Sequence, residues 1–244
     1  MKKSIFILAM PRSGSTYITQ CIMKYTGKEH IEPPLGPIIR GDESTYVDDI
    51  SKLHSGNMVM KGHPMQLFRN ELKYKQNLVK EMLAGDYYII AGLRRNLFEE
   101  FLSKCVRQMT GEYHAPFSYD ETARFEIPDR IFEIEARRVK NQLNTLLRAA
   151  DRYNFQFDEV YYYEDFIGMP HMDFAKLKLC PLRNNMLNRH TVHNKKAPDK
   201  RTIVTNYDEL RQKFSDYIAN NEYDSRITID GYMIKHIDFG DRLK

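Results

Sequence analysis

Apolar residues run unbroken from Ile5 to Met10 and stop at Pro11-Arg12. A short apolar run closed by a turn signal predicts a strand buried on both faces. Ile18 and Ile22 stand four apart behind it, which predicts a helix over Thr16 to Tyr25. Residues 27–57 are rich in Gly, Pro, Asp and Ser and are expected to be loops. Met58-Val59-Met60 reads as a second strand. Leu67, Leu72, Leu78, Val79 and Leu83 mark a helix from Gln66 to Leu83, broken by Gly85-Asp86. Tyr87 to Leu93 is a third strand, apolar enough for burial on both faces. A helix follows over Leu97 to Met109. Pro128 suits the first turn of a long helix reaching Tyr153, whose face carries Ile131, Val139, Leu143, Leu146, Leu147 and Ala150. Val160 to Tyr163 is a fourth strand. Residues 180–200 read as irregular and basic. Tyr207 to Asn220 reads as a helix capped by Asn206, and Ile227 to Phe239 as a terminal strand pair.

Strands alternating with helices imply a parallel sheet covered on both faces. The expected fold is α/β: a three-layer domain over residues 1–244, with a central, mostly parallel sheet flanked by helices. A chain of 244 residues fits one large domain with a substantial core. With 42% hydrophobic and 29% charged residues, whole-chain disorder is excluded.

The charge balance narrows the partners. A formal net charge of +4, from 37 basic and 33 acidic residues, makes no case for a nucleic-acid partner but leaves room for a local anion pocket. Cys21, Cys105 and Cys180 are far apart and lack CxxC spacing, which points to reduced thiols in a cytoplasm. Met1-Lys2-Lys3 before the first apolar run resembles the start of a secretory leader. The run ends without a small-residue cleavage site, so the strand reading is preferred. No run approaches the ~18 apolar residues of a membrane span.

Ala9-Met10-Pro11-Arg12-Ser13-Gly14-Ser15-Thr16 joins the first strand to the first helix. Backbone N–H groups at such a helix start converge on an anion, aided by the helix dipole. Gly14 permits close backbone approach; Ser13, Ser15 and Thr16 add hydroxyls, and Arg12 a fixed positive charge. Against the Walker pattern GxxxxGK[ST], Ala9 replaces the first Gly and Ser15 replaces the Lys, whereas Gly14 and Thr16 match. Such a loop holds a phosphate but is poorly equipped to hydrolyse Mg-ATP.

Pro11-Arg12-Ser13-Gly14-Ser15-Thr16 resembles the 5′-phosphosulfate loop of sulfotransferases that use 3′-phosphoadenosine 5′-phosphosulfate (PAPS). Three further segments continue the resemblance in order. Lys61-Gly62-His63 is similar to the family's Lys-Thr-His, with Gly62 in place of Thr. Arg95-Asn96-Leu97, with Ser103 eight residues after the Arg, is similar to its 3′-phosphate site, with Leu97 in place of Pro. Tyr163-Glu164-Asp165 is similar to a segment whose Tyr lies near the adenine.

The resemblance implies PAPS as co-substrate, 3′-phosphoadenosine 5′-phosphate as product, and no metal. It implies that Arg12, Ser13, Gly14, Ser15 and Thr16 hold the phosphosulfate, that Arg95 and Ser103 hold the 3′-phosphate, and that Tyr163 meets the adenine. His63 is then the base, and Lys61 and Arg12 neutralise the reacting group. Physically the set is coherent: an acceptor proton must leave as the S–O bond forms, and charge must be stabilised on the departing phosphate. Some branches of the family use a Glu base instead. The family's late Arg-Lys-Gly segment has no match; Lys195 or Lys196, in the basic stretch His190 to Lys196, is the candidate for closing over the nucleotide.

Two other classes stay open: a P-loop nucleotide kinase-like enzyme and a non-catalytic nucleotide-binding module. The expected acceptor is a small molecule or carbohydrate. No readable code for its identity, or for an oligomeric state, stands in residues 27–57 or 110–127.

Overall fold

Five strands form one parallel sheet in the computed structural model, which describes residues 3–31, 46–68, 76–111, 124–165 and 199–244. They are β1 (Ser4–Ala9), β2 (Glu29–Ile31), β3 (Met58–Gly62), β4 (Tyr87–Leu93) and β5 (Glu159–Tyr162). Their order is β2-β3-β1-β4-β5, every neighbouring pair parallel. β1 lies at the centre, and all six of its residues are buried. That position explains its uninterrupted apolar run, because a central parallel strand has no polar face. Its one polar side chain is satisfied: Ser4 Oγ donates to Leu53 O at 2.5 Å and accepts from Met58 N at 3.2 Å.

Helices flank this sheet, so the expected α/β class holds: α1 (Ser15–Thr26), α2 (Tyr46–His54) and α3 (Gln76–Leu83). Ile18, Cys21 and Ile22 of α1 pack with Ile5, Ile7, Val59 and Ile90 of the strands. The chain's contacts divide into two compact units, Met1–Leu93 with Thr145–Val192 and Phe239–Lys244, and Arg94–Asn144 with His193–Asp238. The sheet belongs to the first.

The second unit contains α4 (Leu97–Thr110), the part of α5 (Asp129–Tyr153) up to Asn144, α6 (Lys200–Ile203), α7 (Tyr207–Ala219) and the antiparallel pair β6 (Ile227–Asp230) and β7 (Met233–Ile237). Its core is aromatic. Phe101 stacks on Phe214 at 4.7 Å between ring centroids and meets Phe132 edge-on at 5.2 Å. Asn96 caps α4 by accepting from Glu99 N at 3.0 Å.

Three expectations are corrected. The stretch 27–57 holds β2 and α2 as well as turns. β2 is only three residues long and exists because β3 offers it a pairing edge, while Ile50 and Leu53 bury one face of α2. The helix expected over Gln66–Leu83 instead begins as a 3₁₀ turn, Pro64–Phe68, and α3 starts at Gln76; residues 69–75 lie outside the described residues. Asn206 does stand at the start of α7, but its amide does not cap the helix. It accepts from Ile127 N at 3.1 Å and donates to Ile127 O at 3.0 Å, tying two chain segments together. The basic stretch His190 to Lys196 and Cys180 lie outside the described residues. Cys21 and Cys105 are buried free thiols. Among the described residues no helix is long and apolar enough to cross a membrane.

Candidate anion site at the carboxyl ends of the strands

In open parallel sheets ligands collect outside the carboxyl ends of the strands, where the direction of winding reverses. Here the chain places β2 and β3 on one side of β1, then β4 and β5 on the other. The reversal falls at β1, and the loop leaving β1 is Met10-Pro11-Arg12-Ser13-Gly14.

This loop is tightly held. Met10 N donates to Gly92 O at 2.8 Å, extending the pairing of β1 with β4 by one residue. Ser13 N and Ser13 Oγ both donate to Met10 O, at 3.2 and 2.5 Å. Arg12 and Gly14 both have φ near 70°, the left-handed region. For Arg12 that conformation costs on the order of 1–3 kcal/mol, a strain typical of ligand-gripping loops.

Gly14 is the residue that starts α1. It brings no side chain to cap the helix, and no acidic residue stands in the first turn. The first amides of a helix have no acceptor within it, so those of Ser15, Thr16 and Tyr17 face outward as a partial positive charge. Ser13 does not join them. Its side chain is fully buried and donates inward to Met10 O. Tyr161 is also buried, and burial pushes its phenol well above the usual range. Gly92 makes room for the Tyr161 ring: a Cβ there would lie 2.5 Å from Tyr161 Oη and 2.7 Å from Ala9 Cβ.

β3 brings two further groups to the same end of the sheet. Its register with β1 pairs Ile7 with Lys61 and Leu8 with Gly62. Lys61 Nζ donates to Thr16 Oγ1 at 3.0 Å. A lysine on the neighbouring strand thus supplies positive charge beside the first turn of α1, where the loop itself carries Ser15. His63 is half-buried, with Nδ1 2.7 Å from Ala9 O. A carbonyl only accepts, so Nδ1 carries the proton and the neutral ring has its lone pair on Nε2. That is the tautomer a general base requires.

Just beyond β5, at the start of a 3₁₀ turn, Tyr163 lies against the loop; a Cβ on Gly14 would stand 2.4 Å from its Cδ2. Tyr17 is held close to Cys21 and Tyr163, and burial pushes its phenol up to about 12. Arg12, Ser13, Gly14, Ser15, Thr16, Lys61, His63 and Tyr163 are therefore gathered at one end of one sheet.

Arg95 and Ser103 belong to the second unit. The buried guanidinium at Ser103 is that of Arg94, whose Nη1 donates to Ser103 Oγ at 3.4 Å. Arg94 also pairs with Glu99 at 3.7 Å, and Lys200 Nζ donates to the same Glu99 oxygen at 2.5 Å. Arg95 is half-buried, and its carbonyl accepts from Ile234 N at 2.9 Å. Arg94, Glu99 and Lys200 escape a reading by sequence, since neighbours on a strand end look equivalent until their side chains take sides. Gln66 was legible in principle: His63-Pro64-x-Gln66 has the spacing of a turn start, with Pro in first place and Gln reaching back. Among the described residues no three His, Cys, Asp or Glu side chains cluster as metal ligands would.

No protein-family model matches the chain, and no curated protein matches it.

Proposed function

We propose that this chain is a PAPS-dependent sulfotransferase of three-layer, P-loop-type fold. The reading is carried by one observation: the uncapped start of α1 at Gly14, with Lys61 on Thr16 and His63 in its Nδ1–H tautomer at the same sheet end. Outward amides and two cations suit the phosphosulfate, and the Nε2 lone pair suits an acceptor proton.

The reaction is an in-line displacement. Nε2 of His63 takes the proton from an acceptor hydroxyl or amine as its heavy atom bonds to sulfur. The bond from sulfur to the bridging phosphate oxygen breaks, and its electron pair goes to that oxygen. Lys61, Arg12 and the first amides of α1 stabilise the charge that develops there. Arg95 and Ser103 are assigned to the 3′-phosphate and Tyr163 to the adenine. The acceptor is a small molecule or carbohydrate, and the proposed location is the cytoplasm.

A P-loop kinase is the weaker reading for a specific reason. In that class the Thr hydroxyl equivalent to Thr16 ligates Mg²⁺. Here it accepts from the Lys61 ammonium, which a magnesium ion would have to displace. Calorimetry with 3′-phosphoadenosine 5′-phosphate, then a transfer assay from PAPS over a panel of phenols, amines and sugars, decides among the classes. Nucleotide binding followed by transfer is expected. Magnesium-dependent ATP turnover would favour the kinase, and binding without transfer to any acceptor the non-catalytic module.

A further inference from the structure

His63 is held at its ring and at both ends of its peptide. Nδ1 meets Ala9 O at 2.7 Å, His63 N donates to Gln66 Oε1 at 2.7 Å, and Gln66 N donates to His63 O at 2.9 Å. Two of these three ties come from Gln66, one from its side chain and one from its backbone. The side-chain tie is selective, because a backbone N–H requires an oxygen opposite it, which fixes the orientation of the amide. Pro64 stiffens the turn between the two residues, being the first residue of the 3₁₀ segment Pro64–Phe68.

The turn is also fastened from α5. Tyr153 Oη donates to Leu67 O at 2.8 Å, and Thr145 Oγ1 donates to Met65 Sδ at 3.4 Å. Arg152 lies over the Phe68 ring at 5.2 Å. The backbone of this turn is therefore secured independently of Gln66's amide. What that amide adds is local: it sets the direction in which the His63 peptide leaves β3, and with it the reach of the ring to Ala9 O.

We propose that Gln66 is the positioning residue of the site, holding His63 so that Nδ1–H stays on Ala9 O and the lone pair stays on Nε2. The proposal rests on the reading of His63 as the base. Gln66 touches no reacting atom; it acts only through His63. A base displaced by about 1 Å loses on the order of 10²-fold in rate. Loss of Gln66 is therefore expected to lower kcat while leaving KM for PAPS unchanged.

The deciding measurement needs neither nucleotide nor acceptor. Ring ¹⁵N–¹H correlation spectra of the full chain with ¹⁵N-histidine report the tautomer of each of the 8 histidines, with His63→Ala giving the assignment. Spectra are taken at about pH 9, where an ordinary imidazole is neutral. The unaltered chain should show Nδ1–H at His63. Gln66→Ala and the isosteric Gln66→Met should both lose that pattern, and Gln66→Glu, which keeps an acceptor oxygen, should restore it. The proposal is overturned if the unaltered chain shows Nε2–H at His63, if both acceptor-free variants keep Nδ1–H, or if Gln66→Glu behaves like Gln66→Met. Because these spectra are read on the free chain, they stand whether or not it transfers sulfuryl groups. Failure of every acceptor in the transfer assay would sink the sulfotransferase reading alone.

Discussion

The Tyr163 ring occupies the space that a side chain at position 14 would need: a Cβ on Gly14 would lie 2.4 Å from Cδ2 and 2.7 Å from Cε2 of Tyr163. Gly14 also has φ 70°, so two independent constraints meet at one residue. Gly14→Ala should cost on the order of 1–3 kcal/mol from backbone strain alone. It should also dislodge the ring and abolish nucleotide binding. Adding Tyr163→Ala should return part of the stability, since the clash goes but the strain stays. Chemical denaturation of both variants checks this; equal stability of Gly14→Ala and the unaltered chain would contradict it.

His63→Ala should remove the base and leave the anion seat in place. Transfer should fall by ~10²–10⁴, the span for a lost acid–base group. Affinity for 3′-phosphoadenosine 5′-phosphate should hold within about twofold, since no proton moves in binding it. Unchanged turnover with binding intact would remove His63 from the mechanism.

Lys61 and Thr16 should behave as a coupled pair. Lys61→Met should weaken nucleotide binding by about tenfold or more, the effect of one charge-assisted contact. Thr16→Val should cost less, because the ammonium remains. A double-mutant cycle on nucleotide affinity tests the coupling, and strict additivity would show that the 3.0 Å contact does not matter to the ligand.

In the second unit, Arg94 and Arg95 should separate by readout. Arg95→Ala and Ser103→Ala should weaken binding of 3′-phosphoadenosine 5′-phosphate but not of adenosine 5′-phosphosulfate, which lacks the 3′-phosphate. Arg94→Ala should instead lower stability, by about 1–3 kcal/mol, because it takes a partner from Ser103 and Glu99. Comparing the two ligands by calorimetry, with melting curves alongside, distinguishes the arginines.

Alkaline pH should unfold the chain through its buried phenols. Tyr17 is pushed from 10.0 up to about 12, and Tyr161 is pushed further up, both chiefly by burial. The folded state keeps these protons while the unfolded chain releases them. Stability is therefore full below about pH 10 and falls as pH climbs beyond it. Lys28 works in the opposite sense, because burial lowers its ammonium below 10.5. Tyr161→Phe isolates the phenol contribution: urea midpoints from about pH 8 to 11.5 should fall less steeply in the variant, and an equal slope would refute the account.

The readings that survived came from local rules. The apolar run Ile5 to Met10 became the central strand because only a strand buried on both faces accepts such a run. Tyr87–Leu93 and the face of α5 were legible for the same reason: their periodicity states their burial directly. β2 was not legible, since three residues carry no period and the strand forms only because β3 offers an edge. Ser13 shows the same limit inside the site. A serine beside Gly14 looks like a phosphate donor, yet its hydroxyl turns inward to Met10 O.

The amino-acid order by itself determined β1, β3, β4 and β5 and the helices α1, α4, α5 and α7, and that a Gly-bearing turn with Arg12 joins the first strand to the first helix. These depend on neighbours within a few residues, which the order contains. Only the tertiary structure decided that Lys61 reaches Thr16, that Arg94 takes Ser103, and that Ala9 O selects the tautomer of His63. Such contacts depend on strand register and side-chain direction, and these are set when the whole sheet packs rather than by any one segment.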